Sequence, residues 1–406
     1  MSVVPASSDL EGSKTGVPRF QMDHVLMIIS AHFINDTYSA FLAPLLPSLI
    51  NSLSLTLTQA GSLSAFAQLP SLLNPVIGYL DDKVNLRLFV IFAPAVTAIT
   101  MTCLGFAPDY LGLAILLFVT GLSIAVFHAP SPAMVARVSG LQVGRGMSFY
   151  MAAGELGRTV GPLFAAWGLL TFTLKGMLPL AIPGIIASIV LFIRFKAIPF
   201  RGIRQEGIRK VLPVARRLFI PVIGIIFFRS FLITGLGVYL PTLMAGEGAS
   251  ILAAGSTLAL YQLAGVFGAL LGGSISDRLG RKPVLFAVSI LAPVSVFFFL
   301  QSTGLWILLS LICAGFFSLS SQPIMLAMVQ DHLPNHRSVA NGFFMAISFI
   351  CLSLSAVIIG MLGDRIGLRQ ALMWTVAAGF VVAPLVLALP GQPDNTIPAI
   401  DSISEY

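Results

Sequence analysis

A chain of 406 residues with 57% hydrophobic and only 10% charged side chains lies far below the roughly 25% charge of soluble domains, which excludes water as the solvent for most of it. The net charge of +7 leaves nucleic acid or anionic lipid open as partners until the positions of the charges are read. Cys103, Cys313 and Cys351 sit inside apolar runs with no CxxC and no matching His spacing, which excludes a disulfide framework and a cysteine metal site.

The first 22 residues are polar, lack the apolar core of a signal peptide and read as a tail. A bilayer core about 30 Å thick takes roughly 20 apolar residues as helix. By that ruler twelve spans follow: 24–50, 57–79, 86–106, 109–136, 146–170, 177–195, 216–244, 251–275, 283–302, 304–330, 338–362 and 370–389. Connections are short except for a basic, glycine-containing stretch that divides the spans six and six. The expected organisation is a tail over 1–22, a six-helix bundle over 23–195, a basic linker over 196–217, a second six-helix bundle over 218–390 and a polar tail over 391–406. Lys83, Arg87, Arg137, Arg145, Arg278, Arg281, Lys282 and Arg337 all fall in loops that follow even-numbered spans, and the linker adds more, whereas Lys175, Arg365 and Arg369 fall on the other side. This positive-inside bias predicts cytoplasmic termini and accounts for the net charge without nucleic acid.

The two halves echo each other. Asp82, Lys83 and Arg87 answer Asp277, Arg278 and Lys282; AMV at 133–135 answers AMV at 327–329; LLP at 45–47 answers YLP at 239–241. Parallel repeats of this kind are a transporter design with one cavity between two rocking halves. The stretch GGSISDRLGRKP at 272–283, with Gly273, Asp277, Arg278, Gly280, Arg281 and Lys282, resembles the loop signature of the major facilitator superfamily. Its earlier copy, GYLDDKVNLR from Gly78 to Arg87, keeps the acid but carries Asn85 and Leu86 where the signature has glycine and a basic residue. The resemblance implies an all-α membrane protein of twelve transmembrane helices in two pseudo-symmetric bundles. It also implies that Gly78, Asp82, Lys83, Arg87 and the six C-terminal signature residues form gating loops. HFINDTYSAFLAPLLP at 32–47, VFHAPSPAMVAR at 126–137, GELGRTVGP at 154–162 and GDRIGLR at 363–369 are similar to the fosmidomycin-resistance group of drug exporters, although Ala129, Pro130 and Ser131 follow His128 where that group carries an acid.

Ionisable groups inside spans are costly and usually functional. Asp36, with His32 one turn earlier and Asn35 beside it, reads as a proton carrier with a tuning partner. Glu155 and Arg158 can pair along the fifth span, Glu155 reading as a second candidate proton site and Arg158 as a residue that answers its charge or holds an anionic substrate; Gly157-x-x-x-Gly161-Pro162 beside them permits close helix approach and a kink, and is similar to the fifth-helix motif of antiporters. Arg229, opposite Asn35 in the repeat, reads as a ligand for an anionic substrate or a partner for Asp36. His128 and Gln322 are repeat-related, and each stands before a proline, a pointer to a binding site at a helix break. Tyr38, Gln68 and Gln262 are further substrate-binding candidates, with Asn74 and Tyr261 behind them. No P-loop, nucleophile elbow or His/Cys/carboxylate metal cluster is visible, so no enzyme activity, cofactor or metal is expected. The expected function is a monomeric proton-coupled antiporter in the plasma or inner membrane, exporting a small organic molecule. Import of an organic anion or nutrient by proton symport is the alternative.

Overall fold

The computed structural model describes residues 20–81, 87–194, 212–333 and 337–390. Their helices pair into the twelve expected spans. The first is α1 (Met22–Ser39) and α2 (Leu42–Leu53); the second is α3 (Leu57–Gln68), a 3₁₀ turn over Leu69–Leu73 and α4 (Asn74–Asp81). Then come α5 (Arg87–Thr102), the broken pair α6 (Tyr110–His128) and α7 (Ser131–Val138), α8 (Val143–Phe172) and α9 (Ile182–Arg194). The second half holds α10 (Leu212–Gly246), α11 (Ile251–Leu279), α12 (Arg281–Gln301), α13 (Leu305–His332) and α14 (Arg337–Ile366). It closes with α15 (Leu368–Phe380) and α16 (Val382–Leu387).

Local chemistry starts these helices. Thr56 and Gln59 form a reciprocal capping box on α3, Asp109 accepts from the Gly112 amide at 2.8 Å on α6, and Ser250 caps α11. Two expectations shift. The helix of the seventh span begins at Leu212, inside the stretch read as linker, because nothing in LPVARR breaks a helix once proline sits near its start. Pro130 separates α6 from α7, but α13 runs unbroken through Pro323, so only the first of the two proline sites is a helix break.

Among the described residues eight spans are long and apolar enough to cross a membrane, and Arg87–Thr102 and Leu178–Arg194 are shorter apolar helices. The second span is interrupted by its 3₁₀ turn, and the fifth carries Arg145, Glu155 and Arg158. Apolar side chains such as Leu111, Ile115, Phe297 and Phe298 cover the outside, as lipid contact requires.

The halves repeat their packing. Helices α1 and α8 pair as α10 and α14 do, α3 and α6 as α11 and α13, and α5 and α9 as α12 and α15. Between the halves, contact runs along α2–α10, α3–α14 and α8–α11. There one core is shared: Phe41, Leu45 and Leu49 belong to the same buried cluster as Leu236, Tyr239 and Leu240. At the end where spans 1 and 7 begin, each half has its own core: Val25, Ile28, Phe127 and Met134 in one, Leu218, Val222, Val329 and Phe344 in the other. A shared core at one end and separate cores at the other describe a V, open toward the end where spans 1 and 7 start.

Candidate functional site

Asp36 lies in the last turn of α1 and is 4% exposed. His32 Nε2 is 3.4 Å from its Oδ2, and His128 Nε2, at the C-terminal end of α6, is 3.1 Å from its Oδ1. The two imidazole Nε2 atoms stand 3.1 Å apart. Each ring is fixed from behind, His32 Nδ1 at 2.8 Å from the Tyr150 carbonyl and His128 Nδ1 at 3.0 Å from the Ile124 carbonyl. A carbonyl oxygen only accepts, so each Nδ1 carries a hydrogen. In neutral rings both Nε2 atoms then present lone pairs to each other and to a carboxylate. Acceptors facing acceptors repel, so the cluster is built to hold at least one added cation, satisfied most simply by a proton that makes one ring an imidazolium. The three facing acceptor atoms, one each from His32, Asp36 and His128, lie within 4.8 Å of one another. The sequence reading found no His/carboxylate cluster because His128 is far from Asp36 along the chain; the break at Pro130 ends α6 where His128 meets α1.

The surroundings support this centre. Asn35 Nδ2 donates to Asp36 Oδ1 at 3.4 Å, and its own carbonyl accepts from Thr97 Oγ1 at 3.0 Å. The His32 ring stacks on Tyr150, whose hydroxyl meets Ser131 Oγ at 2.7 Å. Helix α8 approaches so closely that a Cβ at Gly154 would overlap the His32 ring, and Cβ atoms at Gly157 and Gly161 would overlap backbone carbonyls of α1. Glu155 and Arg158 pair as expected. Arg158 keeps 45% of its side chain exposed and lies within electrostatic reach of Asp36 and His128.

Other candidates are placed differently. Tyr38 is buried in the shared core and donates to the Leu180 carbonyl, so its hydroxyl is already occupied. Gln68 is half-buried and bonds Ser64; Gln262 is half-buried on α11. Arg229 does not reach Asp36. It donates to Gln322 Oε1, so the pairing of the seventh span with the tenth repeats that of Asp36 with His128. Tyr261 is fully buried nearby.

Among the gating residues, Asp82 and Lys83 lie outside the described residues, Gly78 falls within α4 and Arg87 opens α5. Gly280 adopts φ +93° between α11 and α12, a tight turn that glycine makes at no steric cost. Gly272 lies against Ser320, whereas Gly273 has open space beside it, so close approach belongs to the first glycine alone. Arg281 binds Asp277 and, at 3.1 Å, Asp331, and donates to Ser276 at 2.8 Å. Lys282 donates to the carbonyls of Leu387 and Leu389 at 2.8 and 2.7 Å. Arg278 is exposed. Every bond just named stays within one half, so in this conformation the signature braces α11, α12, α13 and α16.

The polar contact across the halves came from a motif the sequence reading used only for resemblance. Asp364, at the end of α14, accepts from the amides of Leu57 at 2.7 Å and Thr58 at 2.9 Å, and from the Thr58 hydroxyl. Beside it Tyr239 donates to the carbonyls of Ala356 at 2.7 Å and Leu57 at 3.1 Å. The signal was available: DRIGLR at 364–369 repeats the DRLGR of 277–281, and Gly367 adopts φ +85° as Gly280 adopts φ +93°.

Twelve spans among the described residues, in two matched halves each with a buried charged group held between its first and fourth spans, define a two-bundle membrane transporter. The Major Facilitator Superfamily model matches residues 28–356, and the chain belongs to that superfamily; it is a transporter and not an enzyme. It is 26% identical over 345 residues to the fosmidomycin resistance protein of Escherichia coli (strain K12), covering 82% of this chain and 85% of that one. A bacterial homologue of the human lysosomal transporter Spinster, solved in an inward-facing and occupied conformation, superposes with TM-score 0.76 at 16% identity over 91% of this chain and 97% of that one. A D-xylose–proton symporter superposes with TM-score 0.70 at 16% identity over 92% and 98%.

Proposed function

We propose that the chain is a proton-coupled antiporter of the plasma or inner membrane that exports a small organic molecule by alternating access, with Asp36 as the proton-carrying carboxylate. The observation that carries this is the convergence of Asp36, His32 Nε2 and His128 Nε2, with each imidazole's Nδ1 facing a backbone carbonyl instead. A proton entering there is held by the Asp36 carboxyl together with the imidazoles that face it; its departure leaves repelling acceptors and a buried charge, an arrangement that favours a different packing of α1 against α6. Glu155 and Arg158 form a second pair whose balance responds to the same charge. With cytoplasmic termini, as the positive-inside pattern implies, the V opens to the cytoplasm, the bundles 23–195 and 218–390 rock about the α3–α14 and α8–α11 seams, and the chain works as a monomer. The name of the Escherichia coli relative supports export. The symporter neighbour and the buried Arg229, whose side-chain partner is the neutral Gln322, support the alternative, proton-coupled uptake of an organic anion.

The test is transport into proteoliposomes driven by an imposed pH gradient. Asp36→Asn is expected to fold, judged by an unchanged elution profile and melting temperature, and to lose gradient-driven transport while still exchanging substrate at equilibrium. Wild-type coupling in that variant would overturn the assignment. The sign of the gradient that drives accumulation separates antiport from symport.

A further inference from the structure

The geometry points to a binding site for a divalent transition-metal ion of the zinc type, held by His32, Asp36 and His128. This goes beyond the proton-carrying reading of Asp36 and does not rest on it. A zinc-type ion lies about 2.0–2.2 Å from an imidazole nitrogen or a carboxylate oxygen, so two of its ligand atoms stand about 2.9–3.5 Å apart when the angle at the metal is between about 90° and tetrahedral. Here the two Nε2 atoms are 3.1 Å apart, His128 Nε2 is 3.1 Å from Asp36 Oδ1, and His32 Nε2 is 3.4 Å from Asp36 Oδ2. All three separations fall in that range, and a single ion can touch all three side chains.

The surrounding bonds orient the set as a metal site requires. A histidine that ligates a metal donates its other ring N–H to a carbonyl or carboxylate, which fixes the tautomer and aims the free nitrogen. His32 and His128 both do this, through Nδ1 to the carbonyls of Tyr150 and Ile124. Asn35 Nδ2 holds the Asp36 carboxylate, and Tyr150 stacks on the His32 ring. Two imidazoles and one carboxylate suit zinc, cobalt or nickel and not magnesium or calcium, which take oxygen ligands. Three protein ligands leave a further position open, and His128, with 30% of its side chain exposed, marks the side from which an ion enters. The charges facing the site also allow it. Asp36 supplies one negative charge, and Glu155 on α8 pairs with Arg158, the nearby cation that would otherwise oppose a metal. Tyr150 faces the site as a ring whose hydroxyl is engaged with Ser131. An ion seated here uses the lone pairs that a proton would need, so the cluster holds one or the other.

The experiment uses the purified full-length chain in detergent, prepared with an affinity tag that contains no histidine. Zn²⁺, Co²⁺, Mg²⁺ and Ca²⁺ are titrated by calorimetry, and the rise in melting temperature is followed for each. Zn²⁺ is expected to bind at one ion per chain, at least about a hundredfold more tightly than Mg²⁺ or Ca²⁺. Co²⁺ should develop the strong visible absorption of a low-coordinate ion, which binding to scattered surface groups does not give. His128→Gln is expected to lose about ten- to a hundredfold in Zn²⁺ affinity and to lose the Co²⁺ band. Asp36→Asn should do the same, and decides the matter if His128→Gln does not fold. His24→Gln, which removes a histidine outside the cluster, should keep wild-type affinity. Zn²⁺ binding no tighter than Mg²⁺, or wild-type Zn²⁺ affinity in His128→Gln or Asp36→Asn, overturns the site. So does a loss of Zn²⁺ binding in His24→Gln that matches the loss in His128→Gln.

Discussion

At position 154 a single methyl group separates a working site from a blocked one. Gly154 is the floor on which His32 rests, and a Cβ there would overlap Cε1 and Nε2 of the ring while also crowding Asp36 Oδ2. His32 cannot retreat, because Tyr150 stacks on one side at a centroid distance of 3.9 Å and Phe127 lies at 5.8 Å. Overpacking of this kind costs about 1–3 kcal/mol, and alanine recovers about 1 kcal/mol of helix propensity over glycine. The net loss in stability for Gly154→Ala is therefore small, but the His32–Asp36 contact is displaced. The expected outcome is a melting temperature within a few degrees of wild type and gradient-driven transport reduced by about tenfold, the effect of roughly 1.4 kcal/mol at the site. Transport assays in proteoliposomes beside a thermal melt check both halves of the statement. Retained transport would mean that His32 holds no part of the proton.

At the scale of elements, one short motif is used twice for different ends. DRLGR between α11 and α12 and DRIGLR between α14 and α15 both place an aspartate in the final helical turn, a glycine of positive φ after it and an arginine beyond. The first aspartate folds back on Arg281 within its own half; the second caps α3 of the other half, where Thr56 and Gln59 already satisfy part of the helix start. A carboxylate on free helix N–H groups is a strong placement, and losing a capping side chain costs about 0.5–2 kcal/mol. Asp364→Ala is therefore expected to raise the population of molecules open at the α3–α14 seam by about 2- to 30-fold, read as faster disulfide-independent labelling of a reporter cysteine beside the seam. No change in labelling would mean that packing alone closes it. The twelve spans, the repeat and Asp36 were all legible in the sequence, because hydropathy over 20 residues and an acid amid apolar neighbours are local signals. The partnership of Asp36 with His128 was not, since it depends on where Pro130 ends α6. Nor was the fate of Tyr38: its register on α1 sends the hydroxyl to the Leu180 carbonyl, which no periodicity on α1 announces.

For the whole molecule, the arrangement of apolar clusters sets the conformation. A shared core over the second half of span 1, the end of span 7 and the start of span 8 holds one end shut, while two private cores leave the other end free to part. Arg158 is 45% exposed, and a V open at the terminus side is expected to give it water from that side. A two-state transporter biased by about 1.4 kcal/mol spends about tenfold more time in one state than the other. An Arg158→Cys reporter, placed in a chain whose Cys103, Cys313 and Cys351 are replaced by serine or alanine, should then react with a membrane-impermeant maleimide at least about tenfold faster from the side bearing the N-terminus. Sealed vesicles of both orientations supply the two sides, and protease cleavage of an N-terminal tag reports which side is which. Asp364→Ala in the same background should narrow the ratio by opening the far seam, whereas Asp277→Asn, which breaks a brace inside one half, should leave it nearly unchanged. A reporter that labels equally from both faces, with the tag cleaved from one, would show that the shared core does not seal the membrane and that the V is not the resting shape.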